Sequence, residues 1–112
     1  MMANEAARLL DMVLLQPELA DQPIQVQGCY IGDLLSNVMG KAESGQLWLT
    51  VINNVNIVAV AQMLDLAGIV LLEDNQPAAG VLERANTEKI PVFSTSQSAY
   101  KFALRFRDAK LG

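Results

Sequence analysis

The side chains that could take part in chemistry in this chain are mainly carboxylates and hydroxyls. Histidine is absent and cysteine occurs once, so the chain lacks the commonest general base near neutral pH and the commonest metal ligand. A single cysteine also excludes an internal disulfide and a zinc site built from several thiolates. We therefore expect no metal and no cofactor, and any acid or base chemistry would depend on the 12 Asp and Glu side chains, the two tyrosines and the lysines.

Three groups are candidates for catalysis. Asp33 or Glu73 could act as a base, and the adjacent Glu73 and Asp74 could form an acid–base pair or hold a divalent cation. Cys29 could be a nucleophile or a redox sensor, but activating a thiol requires a nearby base or cation. Because no basic residue lies near Cys29 in the sequence, a buried structural thiol is favoured. We expect no catalytic residue, and the chain is predicted not to be an enzyme.

The charge of the chain is unevenly distributed. The net charge is −4, yet residues 101–112 contain four basic side chains, Lys101, Arg105, Arg107 and Lys110, against a single carboxylate. An acidic chain is a poor general binder of nucleic acid or of anionic membranes. The basic end has two interpretations. It is either a solvated face with cations near a helix C-terminus, or a docking patch for an acidic protein through Lys101, Arg105 and Arg107.

Hydrophobic periodicity predicts an alternation of helices and strands. The first helix follows Asn4, with Ala6, Leu9, Leu10 and Val13 on one apolar stripe. Further helices are predicted over about 33–42, 55–67 and 77–89 and after the hydroxyl run 94–96, and strands over 24–27, 47–52, 69–72 and 91–93. Right-handed crossovers between such strands place helices on both faces of a parallel sheet. Residues 1–112 are therefore predicted to form one α/β domain, a three-layer α/β/α sandwich with a mainly parallel sheet of about four strands.

The carboxyl ends of the predicted strands are the expected place for a ligand, as in other open parallel sheets. The candidate ligand-binding residues there are Gly28, Tyr30, Asp33, Thr50, Asn53, Asn54, Ser94, Thr95 and Ser96. No Lys or Arg lies in these segments, so a phosphate would depend on backbone amides alone. A small uncharged or mixed-charge ligand is therefore favoured. The alternative is that these residues are helix caps and turn formers that bind no ligand.

Several blocks of the chain resemble a known family. The stretch Gly28-Cys29-Tyr30-Ile31-Gly32-Asp33-Leu34-Leu35-Ser36-Asn37-Val38-Met39 is similar to a segment of bacterial DRTGG domains. Later blocks of that family are similar to Trp48-Leu49-Thr50, to residues 56–61, and to residues 90–95 followed by Tyr100. The resemblance runs from about residue 24 to residue 106. The Asp-Arg-Thr-Gly-Gly motif itself is absent, and Gln27-Gly28-Cys29 is its nearest remnant.

The resemblance implies a stand-alone DRTGG-like domain, similar to the amino-terminal domain of HPr kinase/phosphorylase. Some stand-alone members are named as serine kinases, and in longer proteins the domain accompanies CBS pairs and looks regulatory. The P-loop of a kinase needs the pattern G-x-x-x-x-G-K-[ST], whereas Gly40-Lys41 is followed by Ala42 and preceded five residues earlier by Leu35. The implied function is a non-catalytic regulatory or ligand-sensing module without kinase activity. The alternative is a protein–protein interaction module that docks an acidic partner through its basic C-terminal helix.

Location and self-association also follow from the sequence as expectations. The first residues lack the basic start and apolar run of a secretory signal. The longest apolar region, residues 55–72, is interrupted by Asp65, which disfavours a membrane span. A bacterial, cytoplasmic protein without membrane contact is expected. A predicted helix that is apolar nearly all round and a mean hydropathy of +0.25 predict a homo-oligomer, most simply a dimer.

Overall fold

Helices and strands alternate along residues 1–111, the part of the chain that the computed structural model describes. The helices in this part are α1 (Ala3–Leu9), α2 (Leu35–Lys41), α3 (Asn56–Leu64), α4 (Val81–Glu88) and α5 (Ala99–Ala109). The strands there are β1 (Val13–Leu14), β2 (Gly28–Ile31), β3 (Gln46–Thr50), β4 (Gly68–Leu71) and β5 (Val92–Ser94), and Pro17–Leu19 forms a 3₁₀ turn. Among these residues, no helix has the length and apolar character needed to cross a bilayer.

The strands form one sheet in the order β1-β5-β4-β3-β2. Strands β2 to β5 are parallel, and β1 pairs antiparallel with β5. Because β2 to β5 lie side by side in chain order, each crossover moves one strand in the same direction. Right-handed connections then place the three crossover helices, α2, α3 and α4, on one face.

Two apolar clusters lie on opposite faces of this sheet. On one face, α1 and α5 pack on the sheet, with Phe102 and Phe106 of α5 against Leu49 and Phe93. On the other face, α2, α3 and α4 pack against a cluster that includes Trp48. The α/β/α sandwich predicted from the sequence is therefore confirmed. The central strands β3 and β4 are buried on both faces, which explains their unbroken apolar runs.

The amino-terminal part differs from its prediction, which placed Leu9 and Val13 on a buried helical stripe. Helix α1 ends at Leu9 because the chain reverses through Asp11, whose φ is 53°. Val13 then begins β1, a fifth strand that the sequence did not predict, and both Leu9 and Val13 are exposed. The spacing of these side chains suits a helix, but pairing of β1 with β5 determines the local structure.

Strand β2 also lies later in the chain than predicted. The alternation of Ile24 and Val26 indicated a strand over 24–27 that ended at Gly28. In the structure Gly28 instead begins β2 and pairs in register with Gln46. Its φ of 145° is a value that glycine adopts readily. Gly28 therefore lies at the start of this strand, whereas the sequence pattern placed it at the end of one.

Candidate ligand site at the carboxyl ends of the strands

The loops after β2 and β3 are joined by a carboxylate that the sequence marked as a candidate ligand or base. Asp33 Oδ1 accepts hydrogen bonds from Thr50 Oγ1 at 2.7 Å and from the Val51 N–H at 2.9 Å. Thr50 Oγ1 in turn accepts from the Ile52 N–H at 3.1 Å. The structure brings Asp33 and Thr50 together, and their hydrogen bonds are to each other and to neighbouring backbone. This arrangement favours a structural role.

Replacing Asp33 by alanine is expected to lower the free energy of unfolding by about 1 to 2 kcal/mol, because two hydrogen bonds between neighbouring loops are lost. Asp33→Asn keeps an acceptor oxygen and should lose about half as much. Urea unfolding of both variants beside the parent chain measures these differences. Equal stabilities for Asp33→Ala and the parent chain would show that the carboxylate does not hold the loops together.

The two asparagines after β3 are also engaged in the loops. Asn53 Nδ2 donates to the Gln76 carbonyl at 3.0 Å, which links the loop after β3 to the loop after β4. Asn54 Oδ1 accepts from the Asn56 N–H at 3.0 Å, at the start of α3. Both side chains are exposed. Their hydrogen bonds are those of turn formers, which was the alternative interpretation of these residues.

The hydroxyl run at the end of β5 is divided between buried and exposed positions. Ser94 and Thr95 are buried, and Thr95 Oγ1 donates to the Asp11 carbonyl at 3.1 Å. Thr95 Oγ1 also accepts from Nε2 of Gln97 at 2.9 Å. Ser96 is exposed. The run does not cap the last helix directly, because α5 begins at Ala99 and its cap is Ser98, whose hydroxyl accepts from the Lys101 N–H at 3.3 Å.

Strands β4 and β5 are neighbours whose following helices lie on opposite faces of the sheet. After β4 the chain enters α4, which packs in the cluster that contains Trp48, and after β5 it enters α5, which packs in the cluster that contains Phe93. The two loops are joined by backbone hydrogen bonds from the Glu73 N–H to the Gln97 carbonyl at 3.1 Å and from the Asp74 N–H to the Thr95 carbonyl at 2.9 Å. Beyond these bonds the chain leaves each loop towards a different face of the sheet, and a crevice lies beside them. In open α/β sheets, ligands bind at this type of position. The loops after β2 and β3 both lead to the same face and leave no such crevice.

An open, solvent-accessible cavity of about 540 Å³ lies in this crevice, and four of its lining residues, Glu73, Asp74, Ser96 and Lys101, are exposed. Its lining is polar and comes from the loop after β4, the loop after β5 and the first turn of α5: Glu73, Asp74, Ser96, Gln97, Ser98 and Lys101. Its volume is within the range of small-molecule sites, roughly 300 to 1,000 Å³. Of the predicted ligand residues, Ser96 lines it directly. Gln97 and Ser98 were not among the predicted site residues, and Lys101 was predicted only as part of a docking patch. Glu73 and Asp74 were predicted only as a base, an acid–base pair or a divalent-cation site.

The two carboxylates of the cavity occupy an unusual turn. The Asn75 N–H donates to the Leu72 carbonyl at 3.1 Å, and the two residues between them, Glu73 and Asp74, have φ of 57° and 61°. Two consecutive positive φ angles are typical of a type I′ turn, which prefers Asn-Gly. The Asp74 N–H donates to the Thr95 carbonyl at 2.9 Å. A strained turn of this kind persists because the surrounding hydrogen bonds hold it.

The basic side chains of α5 are in different environments. Lys101 lines the cavity, so a cation does lie at the carboxyl ends of the strands, contrary to the sequence-based expectation. Arg105 lies 3.8 Å from a carboxylate oxygen of Asp11, and Arg107 lies 3.1 Å from one of Asp108. Arg105 Nε also donates to Gln97 Oε1 at 3.3 Å. The docking patch predicted from Lys101, Arg105 and Arg107 thus contains less unpaired charge than the sequence indicates.

Gly28 and Tyr30 do not lie where the sequence analysis placed them. Gly28 is the first residue of β2, at the amino end of the strand, and Tyr30 lies within the strand against the cluster that contains Trp48. Neither is at the carboxyl edge, because the strand begins four residues later than predicted. Cys29 between them is half-buried, and burial raises the pKa of its thiol. A thiol that stays protonated near neutral pH is a poor nucleophile, in agreement with a structural role.

A second cavity, of about 390 Å³, lies at the amino ends of the strands. Two pairs of its polar side chains are hydrogen-bonded to each other. Gln62 Nε2 donates to Glu88 Oε2 at 2.5 Å, and Ser44 Oγ donates to Asp65 Oδ2 at 3.1 Å. Within residues 1–111, no group of three or more His, Cys, Asp or Glu side chains could hold a metal ion. The crevice between β4 and β5 is therefore the stronger candidate site.

Comparison with known proteins gives a fold but no family assignment. No protein-family model matches the chain, and no curated protein matches it. Among solved structures, the chain is similar to the CBS and DRTGG domains of the regulatory region of Clostridium perfringens pyrophosphatase, complexed with its activator diadenosine tetraphosphate. The TM-score is 0.70 at 13% identity, over 96% of this chain and 46% of that one. The chain thus spans less than half of that structure and shares a fold with part of it, which supports the DRTGG-like fold expected from the sequence.

Proposed function

We propose that this protein is a non-catalytic ligand-sensing module that binds a small polar molecule in the crevice between the ends of β4 and β5. The observation that carries the proposal is the polar cavity at the one pair of neighbouring parallel strands, within residues 1–111, whose following helices diverge to opposite faces. The fold similarity to the regulatory region of a pyrophosphatase agrees with a regulatory role.

The lining of the cavity favours a ligand of mixed charge. Glu73 and Asp74 supply two carboxylates from one loop, and Lys101 supplies an ammonium from α5. The first turn of α5 adds backbone N–H groups, which favour an anionic group on the ligand. A molecule with an ammonium or several hydroxyls at one end and an acidic group at the other would contact both the two carboxylates and the Lys101 ammonium. The phosphates of a ligand such as diadenosine tetraphosphate, which activates the pyrophosphatase, would be attracted only to Lys101 and the first turn of α5, and not to Glu73 and Asp74.

Catalysis is not part of the proposal because the titratable groups of the cavity are not arranged for proton transfer. A general acid or base needs a fixed position relative to its substrate. Within residues 1–111, the side chains of Glu73 and Asp74 have no hydrogen-bond partner that would orient them, and both are exposed. Exposed carboxylates of this kind can attract a cation or a hydroxyl group, and that is sufficient for binding.

A thermal-shift screen tests the proposal with amino acids, sugar phosphates, AMP, ATP and diadenosine tetraphosphate. A ligand present at about ten times its Kd stabilises the folded state by about 1.4 kcal/mol. For a domain of this size, such a gain raises the Tm by roughly 5 °C. We expect the largest shift from a molecule that carries both charges. No shift from any of these compounds at millimolar concentration would contradict a small-molecule role.

Two variants distinguish this cavity from other sites. The double change Glu73→Asn and Asp74→Gly removes both carboxylates but gives the turn its preferred residues, so it should raise stability by about 1 kcal/mol while abolishing the ligand shift. Lys101→Gln should weaken binding at least tenfold, whereas Lys41→Gln, which neutralises a lysine outside the cavity, should not. A ligand whose Kd is the same for the parent chain and both cavity variants binds elsewhere.

A further inference from the structure

One half of the molecule carries little charge. The chain has 8 basic and 12 acidic side chains, yet residues 22–64 include only three of them, Asp33, Lys41 and Glu43. This segment contains β2, α2, β3 and α3. Exposed apolar side chains are frequent there, including Ile31 (48% exposed), Leu34 (60%), Met39 (45%) and Met63 (66%). Depletion of charge together with exposed apolar groups is typical of the centre of a protein interface.

Strand β2 lies at the edge of the sheet on this weakly charged side. It pairs with β3, and within residues 1–111 no other strand pairs with it. Edge strands of soluble proteins are usually protected by lysines, prolines or a covering segment. The four residues of β2, Gly-Cys-Tyr-Ile, contain neither charge nor proline. An unprotected edge of this kind is a template for pairing with another strand.

The direction of the free backbone groups follows from the pairing with β3. The Gly32 N–H donates to the Leu49 carbonyl at 3.2 Å, so Gly32 faces β3, and so does Tyr30 two positions earlier. The backbone groups of Cys29 and Ile31 therefore point away from the sheet. A second strand that runs antiparallel can pair with both residues at once.

We propose that two copies of this chain associate through β2, with the strands antiparallel about a two-fold axis at Tyr30. Cys29 of each copy then lies opposite Ile31 of the other, and both backbone N–H groups and both carbonyls of each residue pair are satisfied. The two sheets join into one continuous sheet. Two acidic molecules meet here with little like-charge repulsion because each face carries few charges, whereas a strongly charged partner would find little complementary charge. This inference is independent of the ligand proposal.

Sedimentation velocity from 1 to 100 μM tests the association. The parent chain should sediment as a dimer, and Ile31→Lys, which places lysines at the centre of the interface, should raise the dimer Kd at least about 100-fold. Val13→Lys is the matched control, because Val13 is an exposed residue (62%) of β1, the strand at the opposite edge. A monomeric parent chain, or a dimer that Ile31→Lys leaves intact, would overturn the proposal.

Disulfide trapping tests the register. In a Cys29→Ser background, Tyr30→Cys places two thiols directly opposite each other, about 4.5 Å apart between Cα atoms, which a disulfide can span. In the same background, Ile31→Cys places them on a diagonal about 7 to 8 Å apart, which a disulfide does not readily span. We expect mild oxidation to cross-link the first variant at least tenfold faster. Equal rates, or faster cross-linking of Ile31→Cys, would contradict the axis at Tyr30.

Discussion

Trp48→Ala is expected to lower the free energy of unfolding by about 4 kcal/mol, the largest effect that we expect from a single substitution in the core. Trp48 is fully buried in the middle of the sheet, and truncation of such a side chain leaves a cavity that costs roughly 3 to 5 kcal/mol. Its indole Nε1 also donates to the Gly32 carbonyl at 2.9 Å. Because small domains are stable by about 5 to 15 kcal/mol, the variant should be close to its unfolding limit at room temperature.

Trp48→Phe separates the two contributions. Phenylalanine keeps most of the apolar volume but cannot donate to Gly32, so a loss of about 1 to 2 kcal/mol is expected. Trp48 is the only tryptophan, and far-UV circular dichroism rather than fluorescence must therefore follow urea unfolding of all three chains. A Trp48→Ala chain within 1.5 kcal/mol of the parent would show that the contacts around the indole are loose.

The burial of β3 and β4 was predictable because both faces of a parallel strand are covered. Their apolar runs have no alternation, and such a run in a short segment between helices indicates a central strand. The last helix is similar, because Phe102 and Phe106 lie four residues apart on one face of it and both are buried. In both cases local periodicity and tertiary packing favour the same structure, so the sequence pattern is sufficient.

The edges of the sheet were less predictable because pairing with distant residues determines them. Strand β1 has two residues and exists through its register with Ser94 and Phe93, about 80 positions later. Strand β2 begins at a glycine because Gly28 meets Gln46. Neither partner can be identified from the local pattern, in which Val13 fits a helix and Gly28 looks like a strand end.

The candidate site was only partly predictable for the same reason. The rule that ligands bind at the carboxyl ends of strands indicated the edge at which the proposed site lies, and it included Ser96. It did not indicate which pair of strands forms the crevice, because that depends on the faces to which α4 and α5 pack. Lys101 joins Glu73 and Asp74 only through this packing. Asp33 and Thr50, which the sequence favoured, are used in the hydrogen bonds of their own loops.

A buried glutamine just after β1 replaces part of a strand. Gln16 is 1% exposed. Its Nε2 donates to the Ile90 carbonyl at 2.8 Å, and its Oε1 accepts from the Val92 N–H at 2.6 Å. The Leu15 N–H donates to the Val92 carbonyl at 2.9 Å. The side-chain amide therefore acts as one more peptide group and continues the pairing of β1 with β5.

Gln16→Leu is expected to lower the free energy of unfolding by about 3 kcal/mol, because it leaves a buried carbonyl and a buried N–H without partners. Each orphaned group costs about 1 to 3 kcal/mol, and the apolar side chain that replaces the amide offsets part of this. Gln25→Leu, a change of the same type at an exposed glutamine, is the matched control and should alter stability by less than about 0.5 kcal/mol. Equal effects at positions 16 and 25 would refute the role of the amide.

Gln16→Glu should make the same site sensitive to pH. A carboxylate can accept from Val92 but cannot donate to Ile90, and burial disfavours its charge, so the pKa of the new side chain should be raised in the folded state. The folded state then binds a proton more tightly than the unfolded state, in which the pKa is about 4.3. The variant should therefore gain stability relative to the parent chain as pH falls from 8 towards 4.5, because the protonated acid can donate to Ile90. Urea unfolding across this range, with Gln25→Glu as control, measures the change, and a pH-independent difference would show that the side chain at position 16 reaches solvent.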